Sequence, residues 1–318
     1  MLGEWIPRDA NMDAPAKVVS VRSIRIAAPE RGEDLQLRVS APVTGKALPV
    51  VLFSHGYGSS MDAYEPLSQY WASHGFVVVQ PTYLDSRRLG LAEDDPRRPS
   101  IWRTRVADAK RSIDCLDEIM AQVPGLAGRV DGSQLAVAGH SFGGQTTGML
   151  LGARMVGAGD GEDMSDPRVK AGILFASGGK GGDDLSPIGR QITPYLDTGF
   201  AEMKTPALIV AGDADRSPLT QRGPDWFYDP FHLSPGHKAL LTLFGGEHML
   251  GGISGFSVTE TSDEEPARVA LVQRVTLAYL QQQLKGDDAA WEAMEAILSK
   301  DLNAVGKIET KVKQTRLF

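Results

Sequence analysis

The residues with the clearest chemical potential are Gly139-His140-Ser141-Phe142-Gly143, a G-x-S-x-G run between the apolar stretch Leu135 to Ala138 and a helical pattern from Gly144 to Met155. In that strand–turn–helix setting the flanking glycines permit a sharp turn that lifts the serine hydroxyl above the end of a sheet. A serine hydroxyl is barely nucleophilic at neutral pH, so it needs a base to take its proton and a third group to orient the base. The order expected along the chain is Ser, acid, His. Of the histidines His55, His74, His140, His232, His237 and His248, only the last three follow Ser141. His248 alone emerges from a strand-like run, Leu240 to Phe244, through the short turn Gly245-Gly246-Glu247. That places it at a strand carboxyl end and makes it the candidate base.

The strand-like run Leu208 to Ala211 leads into Gly212-Asp213-Ala214-Asp215, which offers two carboxylates. Asp215 lies further into the turn and is the favoured acid; Asp213 is the alternative, and could instead cap the turn through backbone amides. Acyl transfer also needs donors for a developing oxyanion. The backbone N–H of Phe142, just after the nucleophile, is one. The second is assigned to the N–H of Tyr57 in Ser54-His55-Gly56-Tyr57-Gly58-Ser59, where the glycines let the backbone approach a substrate closely. His55 and His140 read as structural. The segment Trp226-Phe227-Tyr228-Asp229-Pro230-Phe231 concentrates aromatics beyond Asp215. Tyr57, Trp226 and Phe227 are therefore candidates to wall an apolar pocket, though the segment could equally tack a loop onto the core.

The elements that must position these groups show in the hydrophobic pattern. Val50 to Phe53, Phe76 to Val79, Leu135 to Ala138, Ile173 to Ala176, Leu208 to Ala211 and Leu240 to Phe244 are strand-sized and mostly continuous, as in strands covered on both faces. Between them lie helical patterns, clearest in Trp102, Val106, Ala109, Ile113, Leu116 and Met120. The alternation predicts a mostly parallel, doubly wound α/β sheet with ligands bound beyond the strand carboxyl ends. Val18 to Ala27 and Leu35 to Ala41 are expected as antiparallel edge strands, and Glu264 to Leu284 and Asp287 to Leu298 as helices. Asp85 to Ser100, Ser177 to Pro187 and Arg216 to Pro235 read as loops, the glycine-rich second one as a flexible connection, and the tail from Lys300 as solvated or loosely docked. One domain over 1–318 is expected: a core at about 49–285, a β extension at 18–42, and a helix and tail at 287–318.

Composition narrows the function classes. With 33 Lys+Arg against 40 Asp+Glu, the net charge of −7 argues against a nucleic-acid partner. The single Cys115 forbids an internal disulfide or a multi-thiolate metal site, and it reads as a packing residue. Neither H-E-x-x-H nor G-x-G-x-x-G occurs, so no metal or organic cofactor is expected. The first residues lack a basic start and an apolar run, and no stretch reaches membrane-span length. The expectation is a soluble cytoplasmic protein.

The segments SHGYGSS, GHSFGG, AGDADRSP and FGGEHM, in this order, resemble the α/β-hydrolase superfamily over roughly Pro49 to Leu284. Within it, HGYG, GHSFGG and the GDAD turn are similar to the bacterial esterases grouped with chlorophyllases, platelet-activating-factor acetylhydrolases and cutinase-like hydrolases. Phe142 stands where the cutinase-like enzymes usually carry Met. The resemblance implies an α/β-hydrolase fold and a serine carboxylesterase acting on a small-molecule ester without a cofactor. A lipid-type acetylhydrolase or acyltransferase using the same residues is the alternative, with a non-catalytic binding module on this fold behind it.

Overall fold

The structure, a computed structural model, describes residues 15–158, 161–257 and 262–311. Its frame is a nine-stranded sheet built from β1 (Val18–Ile26), β2 (Leu35–Pro42), β3 (Leu48–Ser54), β4 (Val77–Thr82), β5 (Val130–His140), β7 (Val169–Phe175), β9 (Ala207–Gly212), β10 (Lys238–Leu243) and β11 (Gly306–Lys311). A separate two-stranded ribbon pairs β6 (Arg154–Met155) with β8 (Thr198–Gly199). The main order is β1-β2-β4-β3-β5-β7-β9-β10-β11. From β4 to β10 all neighbours are parallel; β1, β2 and β11 add antiparallel edges. Every residue of β3, β4, β9 and β10 is buried, so these strands are covered on both faces and tolerate unbroken apolar runs.

Eight α-helices lie among the described residues: α1 (Glu65–Ser73), α2 (Ile101–Asp114), α3 (Leu116–Ala121), α4 (Phe142–Leu150), α5 (Pro187–Ile192), α6 (Asp229–His232), α7 (Pro266–Lys285) and α8 (Asp288–Lys300). α1 packs against α7, joined by Trp71 Nε1 donating to Thr276 Oγ1 at 3.0 Å, while α2 packs against α4. Connections out of β3 run to β4 on one side and those out of β4 to β5 on the other, so the direction of winding reverses between β3 and β5. Such a switch point opens a crevice at the strand carboxyl ends. Ser54 of β3 pairs with Gly139 of β5, which brings the loop after β3 beside the G-x-S-x-G turn.

Several elements differ from the sequence expectation. The helix anticipated from Trp102 to Met120 is two, because Cys115 leaves helical geometry (φ −99°, ψ 18°) and turns α3 towards β1. The helix after Ser141 stops at Leu150, and Met155, expected within it, lies in β6. The tail is not loose: residues 306–311 add a strand to β10. Its side chains are mostly charged or half-exposed, so backbone pairing rather than an apolar pattern holds it, and its charges guard the sheet edge. The glycine-rich loop after β7 is closely packed rather than a slack connection. A Cβ on buried Gly179 would sit 2.1 Å from the Trp226 carbonyl oxygen. No helix among the described residues is long and apolar enough to cross a membrane, and the opening residues 1–14 and the end of the tail at 312–318 lie outside the described residues.

Candidate active site

Ser141 sits between β5 and α4 with φ 55° and ψ −118°, a region that side-chain-bearing residues rarely occupy. Its N–H is held by the Phe175 carbonyl at 2.8 Å. Gly143 is required by close approach: an added Cβ would lie 2.0 Å from the Ser54 carbonyl oxygen. The turn thus presses against the end of β3 and presents the serine Oγ outwards.

Three side chains from three strand ends meet here. His248 Nε2 lies 2.9 Å from Ser141 Oγ, and His248 Nδ1 lies 3.0 Å from Asp215 Oδ2. A carboxylate only accepts, so Nδ1 carries the proton and Nε2 is left to accept the serine hydroxyl. The Asp215 side chain is fully buried, whereas that of His248 is 36% exposed and reachable. Asp213 is turned elsewhere; its Oδ1 accepts the Gly245 N–H at 2.6 Å and braces the turn ahead of His248. Among the described residues, neither the Tyr57 N–H nor the Phe142 N–H is spent on an internal acceptor. The Tyr57 ring is 60% exposed and lies 6.2 Å from the Phe142 ring, and its hydroxyl accepts from Arg98 at 3.3 Å. Phe227 reaches the site, with its ring 5.8 Å from that of His248. Phe227 and Trp226 are both buried, with Trp226 edge-on to Phe227 and donating through Nε1 to the Lys180 carbonyl at 2.5 Å.

Two further histidines are fixed and neutral. His140 Nε2 donates to the His248 carbonyl at 2.7 Å, and its Nδ1 accepts from the Tyr64 hydroxyl at 2.9 Å. That hydroxyl itself accepts the Gly56 N–H at 3.0 Å, so one chain of hydrogen bonds joins the loop carrying Tyr57 to the backbone of His248. His55 donates from Nδ1 to the Gly56 carbonyl and accepts the Tyr83 N–H at Nε2. Burial pushes His140 down to about 3, and burial with the Arg105 guanidinium adding to it pushes His55 down to about 4. Unfolded, both would titrate near 6.5. Their folded values are depressed, so the stability they contribute is complete above about 6.5 and is lost as pH falls towards the folded values. The slope is up to about 1.4 kcal/mol per pH unit for each. The melting temperature is expected to drop steadily between pH 7 and pH 5; a flat profile would contradict their neutral burial.

Four residues that position the site have no motif. Tyr64 links Gly56 to His140; Asp85 and Arg105 hold the loop after β3; Asp263 Oδ2 accepts the N–H groups of Glu247 and Gly251, bracketing His248. Only a pattern of partners, not of spacing, would have exposed them.

The chlorophyllase family profile matches residues 13–154, a span that contains Tyr57 and Ser141 but ends before Asp215 and His248. Among curated proteins, the chain is 25% identical to chlorophyllase-2 of Arabidopsis thaliana over 274 residues, covering 80% of this chain and 79% of that one. It is 21% identical to platelet-activating factor acetylhydrolase of Cavia porcellus over 303 residues, 81% of this chain and 62% of that protein. It is also 26% identical to cutinase est2 of Thermobifida alba over 210 residues, 65% of this chain and 55% of that protein. The chain therefore spans about three fifths of the length of the acetylhydrolase it matches.

Proposed function

We propose that this chain, an α/β-hydrolase by fold and similar to the chlorophyllase, acetylhydrolase and cutinase group of serine esterases, is a carboxylesterase working through an acyl-enzyme. The observation that carries the reading is the hydrogen-bonded row Ser141–His248–Asp215 at the mouth of the sheet. Ser141 Oγ attacks the ester carbonyl as His248 Nε2 takes its proton. Asp215 keeps the imidazole in the required tautomer and stabilises the imidazolium without itself taking up the proton. The oxyanion is received by the unspent amides of Tyr57 and Phe142, donors typically worth about 10²–10³ each in turnover. His248 then gives its proton to the departing alcohol, and water, activated by the same imidazole, releases the acid.

The test is labelling with a fluorophosphonate probe, followed by p-nitrophenyl esters of increasing acyl length. Labelling confined to Ser141 with measurable turnover is expected. A protein that is folded, unlabelled and inert across the series would favour a binding role instead.

For the substrate, the reading is a small to medium ester, aryl esters included, because the exposed Tyr57 ring and the half-buried Phe142 ring pair beside Ser141 while buried Phe227 packs on the His248 ring. Removing the phenyl ring packed on the imidazole is expected to alter acyl preference. Phe227→Ala should lower kcat/KM for butyrate and longer esters about tenfold relative to acetate, on the order of the 1–3 kcal/mol that a lost apolar contact supplies. Trp226→Ala should act more weakly on that ratio, since Trp226 packs on Phe227, which in turn packs on His248. An unchanged chain-length profile in both variants would remove this segment from the substrate pocket.

A further inference from the structure

Arg105 of α2 lies beneath the site with its side chain 1% exposed, against an Asp85 side chain that is wholly buried. Each of the three guanidinium nitrogens donates. Nη1 donates to Asp85 Oδ1 at 2.6 Å, Nε to Thr146 Oγ1 at 3.1 Å, and Nη2 to the His55 carbonyl. The second Asp85 oxygen accepts the Gly58 N–H at 3.0 Å. His55 and Gly58 stand on either side of Gly56-Tyr57, so the ion pair grips the loop bearing the Tyr57 amide at both ends. On the other flank the guanidinium carbon lies 4.5 Å from the centre of the Phe142 ring, and Thr146 Oγ1 donates to the Phe142 carbonyl at 3.1 Å. One side chain therefore touches both the loop and the helix start that supply amide donors. Burial works against the charge on Asp85, yet the Arg105 guanidinium holds its carboxyl below the usual range.

We propose that Arg105 and Asp85 form a clasp that fixes the spacing of the Tyr57 and Phe142 amides, and that both are positioning residues for the oxyanion; this rests on the acyl-transfer reading above. A buried ion pair is a poor choice for stability alone, because well-packed apolar residues of similar volume often serve as well or better. A planar five-donor fork spreads its donors over three nitrogens and so reaches three separated acceptors at once, a geometry that a single lysine ammonium does not reproduce and an apolar side chain lacks altogether.

The experiment separates positioning from folding. Arg105→Met alone leaves a buried carboxylate unpaired and is expected to melt well below wild type. The double variant Arg105→Met/Asp85→Leu removes both charges and should recover most of that loss, while kcat for p-nitrophenyl acetate stays about 100-fold down with KM within about threefold of wild type. Inhibition by an aryl trifluoromethyl ketone, which forms a tetrahedral oxyanion on Ser141, should weaken by a similar factor. Arg105→Lys, which keeps the charge but reaches only one of the three acceptors, should lose about tenfold in kcat. A double variant turning over within threefold of wild type, or losing activity through KM alone with inhibition by the ketone intact, would overturn the clasp. A wild-type protein inert to both ester and ketone would instead overturn the esterase reading, and the clasp with it. If the double variant does not fold, Arg105→Lys decides: unchanged kcat and unchanged ketone inhibition refute the clasp.

Discussion

Ser141→Ala is expected to lower kcat for a p-nitrophenyl short-chain ester by about 10⁵- to 10⁶-fold, to abolish fluorophosphonate labelling, and to leave the melting temperature close to wild type. The loss is large because His248 Nε2, 2.9 Å from Ser141 Oγ, would have no hydroxyl to deprotonate. The remaining rate would come only from the amide donors and from substrate binding. Stability should barely change, because alanine keeps the Cβ and inherits the same backbone conformation at φ 55°. Ser141→Gly separates the two effects further. It should be equally inactive yet melt a few degrees higher, since strain of about 1–3 kcal/mol at such a position is relieved when the Cβ is removed. A Ser141→Ala protein that turned over esters at the wild-type rate would place the chemistry elsewhere. An inactive variant that had also lost its melting transition would make the result one of folding.

How much of this was legible in the sequence depended on where each contact lies along the chain. Ser141, Asp215 and His248 each follow a continuous apolar run through a short turn, so the strand signal and the polar residue just beyond it are read together. The central strands showed for the same reason: covered on both faces, they have no polar positions to blur them. Arg105 did not show. It lies three residues after Trp102 and four before Ala109, beside the buried stripe, but in a helix that also carries the half-buried Arg103, Lys110 and Arg111 a charged side chain there reads as one more solvated arginine. Tyr64 was equally hidden, since its partner His140 is 76 residues away. β11 failed for a different reason, because a backbone ladder with Lys307, Glu309 and Lys311 on its edge has no apolar alternation to detect. Asp213 and Asp215 could be ranked but not separated by spacing alone. The geometry distinguishes them, since one braces a turn and the other faces the imidazole.

That distinction yields a second large effect. Asp215→Ala is expected to reduce kcat by about 10⁴-fold, whereas Asp213→Ala should lose less than about tenfold. Without the carboxylate, His248 Nδ1–H has no acceptor at 3.0 Å, so the ring is free to adopt the wrong tautomer or rotate, and the imidazolium formed during attack lacks its counter-charge. The same substitution should not cost stability in proportion. Asp215 is fully buried, and its Oδ1 has no hydrogen-bond partner among the described residues, a costly state for a carboxylate that folding alone would not favour. The melting temperature of Asp215→Ala is therefore expected to equal or exceed that of wild type, while Asp213→Ala, which frees the Gly245 N–H, should melt slightly lower. Steady-state kinetics and thermal melts on the two variants supply both readings. The reverse ranking in kcat would transfer the role of acid to Asp213. A large fall in melting temperature for Asp215→Ala would mean that the carboxylate is kept for folding rather than for orienting His248.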